Sequence, residues 1–253
     1  MPPRYPLTYD ERMMIKEIKM IDNNQDKLIQ KFRHVTFDQY DELGPVRLGT
    51  SASYTWRHDP KHILFSLARY KFCSKMLAGK ELVLEVGCGD SFCVPIMLQT
   101  VGRMHGVDLE DLIIAQNKDY INQFPELRDR YLCEAHDMLL GPLGKKFDAA
   151  FCLDVIEHIP CDKEDLFVRN ICQSLVPQGV LIIGTPNVTA DQYASPISRA
   201  GHINLKSSDR LRELAARHFH NVFSFSMNDE VVHTGYSPMA HFIIVMGVGV
   251  KQP

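Results

Sequence analysis

The segment Leu82-Val83-Leu84-Glu85-Val86-Gly87-Cys88-Gly89-Asp90-Ser91-Phe92 constrains this chain more than any other. An apolar run passes straight into Gly-x-Gly and a helical pattern follows, the order of a buried strand, a tight turn and a helix start. The glycines let the backbone take positive φ and approach a ligand with no Cβ in the way. A nucleotide-phosphate loop of the form Gly-x-Gly-x-x-Gly would carry its last glycine at position 92, which here is Phe92. The strand also carries an acid near its end, Glu85, which repels a pyrophosphate and suits the cationic amino group of an amino acid.

From Glu81 onward short apolar runs alternate with helical stretches, which implies βαβ units and a parallel sheet. Strands are expected near 81–87, 103–108, 130–135, 147–153 and 179–184, and helices over 92–101, 110–123, 162–175 and 207–218. Two further apolar runs, 221–227 and 240–249, read as strands joined by a loop around Asn228 to Ser237, so an antiparallel pair closes the sheet. The expectation is a doubly wound α/β fold with a mostly parallel seven-stranded sheet and an antiparallel last strand. Ahead of it, Asp59 reads as an N-cap and Pro60 as the first residue of a helix ending near Gly79. Residues 1–58 read as an N-terminal helical extension and 59–253 as the main domain. Met14, Ile18, Ile21, Leu28 and Phe32 fall near one helical face in that extension, although Asn23-Asn24 interrupts the helix. Packing on its own domain, a homodimer contact and a lid over the site are the uses open to it.

Acids follow the next two strands. Asp108, nineteen residues after Gly89, can accept hydrogen bonds from both hydroxyls of a ribose, or cap the next helix. Asp137 can accept an adenine amino group while Met138 packs on the ring, the alternative being a solvated loop carboxylate. With these acids and without the third glycine, the pattern favours S-adenosylmethionine (SAM) over NAD.

These residues resemble the class I SAM-dependent methyltransferases over roughly residues 60 to 250. The resemblance implies that Glu85, Gly87 and Gly89 hold the methionine part, with Cys88 and Asp90 inside the same loop, and that Asp108 and Asp137 serve ribose and adenine beside Leu109 and Met138. It implies a Rossmann-like methyltransferase domain, and it departs from the family where a third glycine is often found, at Ser91. The block Phe147-Asp148-Ala149-Ala150-Phe151-Cys152-Leu153-Asp154-Val155-Ile156-Glu157-His158-Ile159-Pro160 is similar to the ubiquinone-biosynthesis O-methyltransferases and their small-molecule and glycan relatives. So are Leu175 to Ile183, Thr185-Pro186-Asn187 and Gly201-His202-Ile203-Asn204-Leu205. By the same resemblance, Arg69 or Tyr70, on the helix before the glycine loop, meets the SAM carboxylate, with an exposed ion pair as the alternative. Leu153 and Asp154 border the cofactor.

Asp154, Glu157 and His158 stand at i, i+3 and i+4, which places them on one face of a helical turn at the carboxyl edge of the sheet. His158 could act as a general base for an acceptor hydroxyl. The three could instead hold a divalent metal that polarises that hydroxyl, or form a structural cluster. His58 and His62 are four apart, but Asp59-Pro60 breaks the register of a metal pair; His202, His233 and His241 are candidates for the acceptor side.

Composition narrows the partners. The formal charge is -3 with no Lys/Arg run, which disfavours nucleic acid. The longest apolar runs are too short for a membrane span, and the N-terminus shows no signal-peptide pattern. Seven cysteines without Cys-x-x-Cys spacing argue against a disulfide framework or zinc ribbon and for the reducing cytoplasm. The resulting expectation is O-methylation of a small-molecule hydroxyl, with a sugar or glycan intermediate ahead of a phenol or quinone precursor, because 191–208 is polar and rich in His and Ser. N-methylation of an amine or protein side chain and a non-catalytic SAM-binding module are the alternatives.

Overall fold

The computed structural model describes residues 25–31 and 33–252. The chain divides into two compact units, Met1–Arg47 and Leu48–Pro253. In the first, residues 25–31 are helical, His34–Asp38 form a π-helical turn and Gln39–Leu43 an α-helical one. Met14, Ile18, Ile21, Phe32 and the Asn23-Asn24 break lie outside the described residues, while Leu28 lies in the helix and is exposed.

The second unit opens with helices α1 (Thr50–His58) and α2 (Pro60–Met76). Strands β1 (Leu82–Val86), β2 (Arg103–Asp108), β3 (Tyr131–Ala135), β4 (Phe147–Leu153) and β5 (Leu175–Pro186) then alternate with α3 (Val94–Met97), α4 (Asp111–Ile121) and α5 (Glu164–Gln173). The chain continues through α6 (Pro196–Gly201) and α7 (Ser208–His218) into β6 (Phe219–Asn228), β7 (Val231–His233) and β8 (Phe242–Val250). The sheet order is β3-β2-β1-β4-β5-β8-β6-β7. β1 to β5 are parallel, while β8 inserts antiparallel to both neighbours, pairing Ile183 with Val245 and Phe223 with Met246.

Successive residues of each central strand enter opposite layers, as the pleat requires. Val83 and Phe151 pack with Cys73, Leu77 and Met97 on one face; Leu84, Val86 and Cys152 pack with Ile171, Leu211 and Leu214 on the other. Strand order reverses between β1 and β4, so their carboxyl ends flank the crevice where open α/β sheets take ligands.

Three expectations are corrected. Among the described residues the sheet has eight strands rather than seven: Asp229, at φ 48°, makes a tight turn that folds Val231–His233 back onto β6. Asp tolerates this left-handed conformation better than most residues. Asp59 occupies the N-cap position of α2, but its side chain makes no capping bond; its carbonyl takes the His62 N–H at 3.0 Å. The helix expected over 92–101 shrinks to α3, since Pro95 brings no amide donor and the Thr100 hydroxyl turns to the Ser74 carbonyl at 2.8 Å. Among the described residues no helix is long and apolar enough to cross a membrane.

Phe151→Ala should lower unfolding stability by about 3–5 kcal/mol, read from the urea midpoint, because a fully buried ring leaves a cavity that the sheet cannot close. Leu140→Ala, at a side chain 87% exposed, should stay within about 0.5 kcal/mol of the parent.

Candidate active site

β1 delivers the chain to a turn that only glycine can begin. Gly87 has φ 76°, and a Cβ there would stand 2.3 Å from Val155 Cγ2. The Gly87 and Cys88 amides both donate to the Val107 carbonyl, at 2.8 and 3.0 Å. Gly89 is held on both sides: its N–H donates to Asp108 Oδ2 at 2.9 Å and its carbonyl accepts from Asn117 Nδ2 at 2.7 Å. Between this loop, α2 and the end of β4 lies a cavity of about 140 Å³, bordered by Ser51, Ser66, Arg69, Tyr70, Gly87 to Phe92, Leu153 and Asp154. Cys88 contributes backbone alone, because its thiol is buried beside Asn117.

Glu85 is 1% exposed. Its Oε1 accepts the Tyr70 hydroxyl at 2.5 Å, and its Oε2 has no partner. Desolvation pushes its carboxyl up to about 8; the Tyr70 hydrogen bond opposes this, and the charges of Asp108 and Asp90 add to it. A buried carboxylate with one free oxygen is costly alone and becomes favourable once a cation pairs with it. The residues present therefore fit a ligand that brings an ammonium group to the mouth of β1.

Asp90, on the cavity wall, also holds a helix. Its Oδ2 accepts the Ala52 N–H at 2.7 Å, so it caps α1 from outside, where the preceding Gly49 has no side chain to do so. The close approach of Gly49, whose Cβ would fall 2.4 Å from Asp90 Cβ, leaves room for nothing larger. Asp108 is half-buried and also takes the Glu110 N–H at 3.3 Å, while Leu109 beside it is exposed. Asp137 is half-buried and accepts from the Leu139 N–H at 2.8 Å. The Met138 side chain, expected on a ligand ring, is 2% exposed and belongs to the core cluster that includes Val107.

The exit of β4 separates the trio expected on one helical face. Asp154 has φ 57° and stands ahead of the 3₁₀ turn Ile156–His158, so the helical spacing does not apply to it. Its Oδ2 meets Arg69 Nη1 at 2.7 Å, and the Arg69 guanidinium carbon lies 3.7 Å from the centre of the Phe242 ring. Glu157 is fully buried: Oε2 accepts the Thr185 hydroxyl at 3.0 Å and Oε1 has no partner. Burial pushes its carboxyl up to about 8, helped by the charge of Asp154 and opposed by its own hydrogen bonds and by Arg69. His158 is exposed, with Nδ1 2.9 Å from the Gly201 carbonyl, which makes Nδ1 the donor and leaves Nε2 as the acceptor.

His202 takes the place expected for Asp154. Its ring lies 5.3 Å from that of His158, edge-on, and its Nδ1 is buried without a partner. Glu157, His158 and His202 bring one ligand atom each within 4.8 Å of one another. The loop is clamped there, since the Ile203 and Asn204 amides both donate to the Glu157 carbonyl at 3.0 Å. Asn204 Nδ2 reaches Glu164 Oε2 at 2.9 Å, and Lys206 pairs with the same oxygen at 2.7 Å. No local spacing joins His202 to Glu157; the only sequence signal was its presence in the Gly201-to-Leu205 block.

The other candidate histidines do not join this cluster. His58 stacks on Tyr54 at 4.1 Å and His62 meets Phe65 edge-on at 5.7 Å, so the two do not converge. His241 lies 5.5 Å from Phe65; both it and His62 are held below the usual imidazole range by burial and then by Arg69. His233 is tied into the β6–β7 hairpin by Asn228 at 2.8 Å.

Comparison with known proteins agrees with this architecture. A family model described as a methyltransferase domain matches residues 56–219. The chain is 32% identical over 172 residues to the ubiquinone biosynthesis O-methyltransferase of Chromobacterium violaceum, covering 64% of this chain and 71% of that one. It is 27% identical over 168 residues to the mitochondrial ubiquinone biosynthesis O-methyltransferase of Arabidopsis thaliana, covering 66% of this chain and 48% of that one, so it spans about half of that relative's length. Its fold is similar to the methyltransferase domain of bacterial CtHen1, with a TM-score of 0.61 at 18% identity over 74% of this chain and 98% of that chain. It is also similar to magnesium protoporphyrin IX methyltransferase from Synechocystis with bound S-adenosylhomocysteine (SAH), with a TM-score of 0.54 at 15% identity over 88% and 99%. With a family model matched across most of its length, on a sheet and glycine loop built as described, this chain belongs to the class I SAM-dependent methyltransferases.

Proposed function

We propose that this enzyme methylates a hydroxyl of a small, partly apolar acceptor, and that Glu157, His158 and His202 form the acceptor side of its site. The observation that carries this reading is the convergence of those three side chains beside Asp154, which borders the cofactor cavity. An amine needs only to arrive neutral, whereas a hydroxyl needs a group to take its proton, and this edge supplies one. The names of the relatives, both O-methyltransferases of ubiquinone biosynthesis, support the same choice.

In this reading the free oxygen of Glu85 takes the SAM amino group, and Arg69, on the cavity wall, takes the carboxylate. Asp108 receives the ribose hydroxyls, and Asp137 and Leu109 border the adenine. The acceptor oxygen attacks the methyl carbon as the sulfur–methyl bond breaks, releasing SAH, and His158 Nε2 receives the hydroxyl proton. The sulfonium is already electrophilic, so the protein's task is alignment and exclusion of water. The anchor from His158 Nδ1 to the Gly201 carbonyl fixes the tautomer that leaves Nε2 basic.

A second reading gives the cluster a divalent metal. Glu157 Oε1 and His202 Nδ1 are both buried without partners, and one carboxylate with two imidazoles suits such an ion. When bound there, it would polarise the acceptor hydroxyl.

The acceptor class also shifts. The polar composition of 191–208 suggested a glycan, yet Tyr193 and Ile203 in that stretch are exposed, as are Tyr236 and Met239 on the neighbouring turn. Exposed aromatic and apolar side chains at the carboxyl edge of the sheet favour a phenolic acceptor.

With a catechol as acceptor, His158→Ala should reduce kcat at neutral pH by about 10²–10⁴-fold while SAH affinity, measured by calorimetry, stays within about twofold. A small loss would contradict His158 as the group that takes the proton, and full sensitivity to EDTA would favour the metal reading. SAH binding should also depend on pH through Glu85, which must ionise to pair with the ammonium group and is pushed up to about 8. Affinity should rise about tenfold per pH unit below about pH 7, peak near about pH 8 and fall as the ligand's own amino group deprotonates. Glu85→Gln should weaken binding and flatten the acid limb of that profile.

A further inference from the structure

The cofactor loop lacks a glycine where the chain most needs one. Ser91 has φ 56°, a left-handed conformation that costs a residue with a Cβ, and it is 2% exposed. Backbone bonds on either side fix that conformation: the Ser91 N–H donates to the Cys88 carbonyl at 2.9 Å, and the Ser91 carbonyl accepts from Val94 N–H at 3.0 Å. The side chain has a single partner among the described residues, the Tyr131 hydroxyl, 2.5 Å from Ser91 Oγ.

Tyr131 begins β3, two strands away from β1, and reaches the loop by crossing β2. Gly106 on β2 makes the crossing physically open, since a Cβ there would stand 2.3 Å from the Tyr131 hydroxyl and 2.9 Å from Cys88 Cβ. A phenol 3% exposed reaches across a glycine to the hydroxyl of a strained residue and to the Cys88 thiol beside it, both within the loop. Asp108 and Asn117 hold Gly89, Asp90 is tied to the Ala52 N–H and the Phe92 carbonyl accepts from the Tyr120 hydroxyl at 2.9 Å, so the Tyr131 bond is the side-chain anchor at Ser91 itself.

We propose that Tyr131 and Ser91 form a positioning pair, in which the buried hydrogen bond holds the loop in its cofactor-binding shape where a third glycine would adopt that shape unaided. The proposal rests on the reading that this loop holds SAM. Neither hydroxyl touches the reacting atoms. Their effect is exerted on loop geometry, and therefore on ligand affinity before any chemistry.

The pair makes a distinctive demand on a double-mutant cycle read by calorimetric titration with SAH. Tyr131→Phe should weaken SAH binding about three- to tenfold, the worth of one buried hydrogen bond. Ser91→Ala, which keeps the Cβ strain and loses the bond, should weaken it similarly. In a Ser91→Gly background, Tyr131→Phe should have no further effect, because glycine needs no anchor at this φ. Thermal unfolding of each ligand-free variant checks that the domain is folded, and Glu85→Gln is titrated in parallel. An equal loss from Tyr131→Phe in both backgrounds, or no loss in either, overturns the positioning pair while the loop reading stands. Unchanged affinity in Glu85→Gln overturns the loop reading and the pair with it.

Discussion

Desolvation of one carboxylate governs the architecture of this site. Glu85 is enclosed by parallel neighbours in the middle of the sheet, with Val83, Leu84 and Val86 of its own strand buried around it. One oxygen is satisfied by Tyr70 and the other has no partner. In the proposed function a cationic ligand completes this buried acid, and the turn at Gly87 and Gly89 brings backbone close to that ligand. The hydrogen bond from Tyr70 to Glu85, the close packing of Val155 on Gly87 and the anchoring of Gly89 by Asp108 all preserve that geometry.

The end of β4 poses the same electrostatic problem and resolves it differently. Asp154 takes a left-handed conformation and turns its carboxylate to Arg69, which also lies on the face of Phe242. That contact ties α2 to the exit of β4 and removes Asp154 from the cluster its spacing suggested. Glu157 is left buried with a free oxygen, and the loop carrying His202 closes on it through the Ile203 and Asn204 amides. Two buried carboxylates, each with an open oxygen, thus stand at the adjacent carboxyl ends of β1 and β4. In the proposed function the first meets the methyl donor and the second shapes the acceptor side.

Much of this was legible in the sequence because it rests on local pattern. The apolar runs located β1 to β4 to within about two residues, and the last runs revealed the antiparallel closure. Glu85 and the glycines could be read because their chemistry is contained in eleven consecutive residues. Long-range pairing was not legible. Asp90 looks like a loop acid until α1 brings Ala52 to it from 38 positions away. His158 meets the loop that carries His202 through the Gly201 carbonyl, 43 positions away, and the Tyr131–Ser91 bond spans 40. Asp154 misled for a different reason: i, i+3, i+4 spacing presumes helical φ, and its own φ is positive. The Asp229 turn, likewise, made a strand from what composition marked as loop.

The most direct test of the central claim is transfer of an isotope-labelled methyl group from SAM into fractionated host extract by the purified protein. The expected result is label in the low-molecular-mass fraction, bound as a methyl ether that survives alkali and is absent when Glu85 is replaced by Gln. Label recovered in protein or in an amine would contradict hydroxyl methylation, and no transfer despite tight SAH binding would contradict turnover of these acceptors altogether.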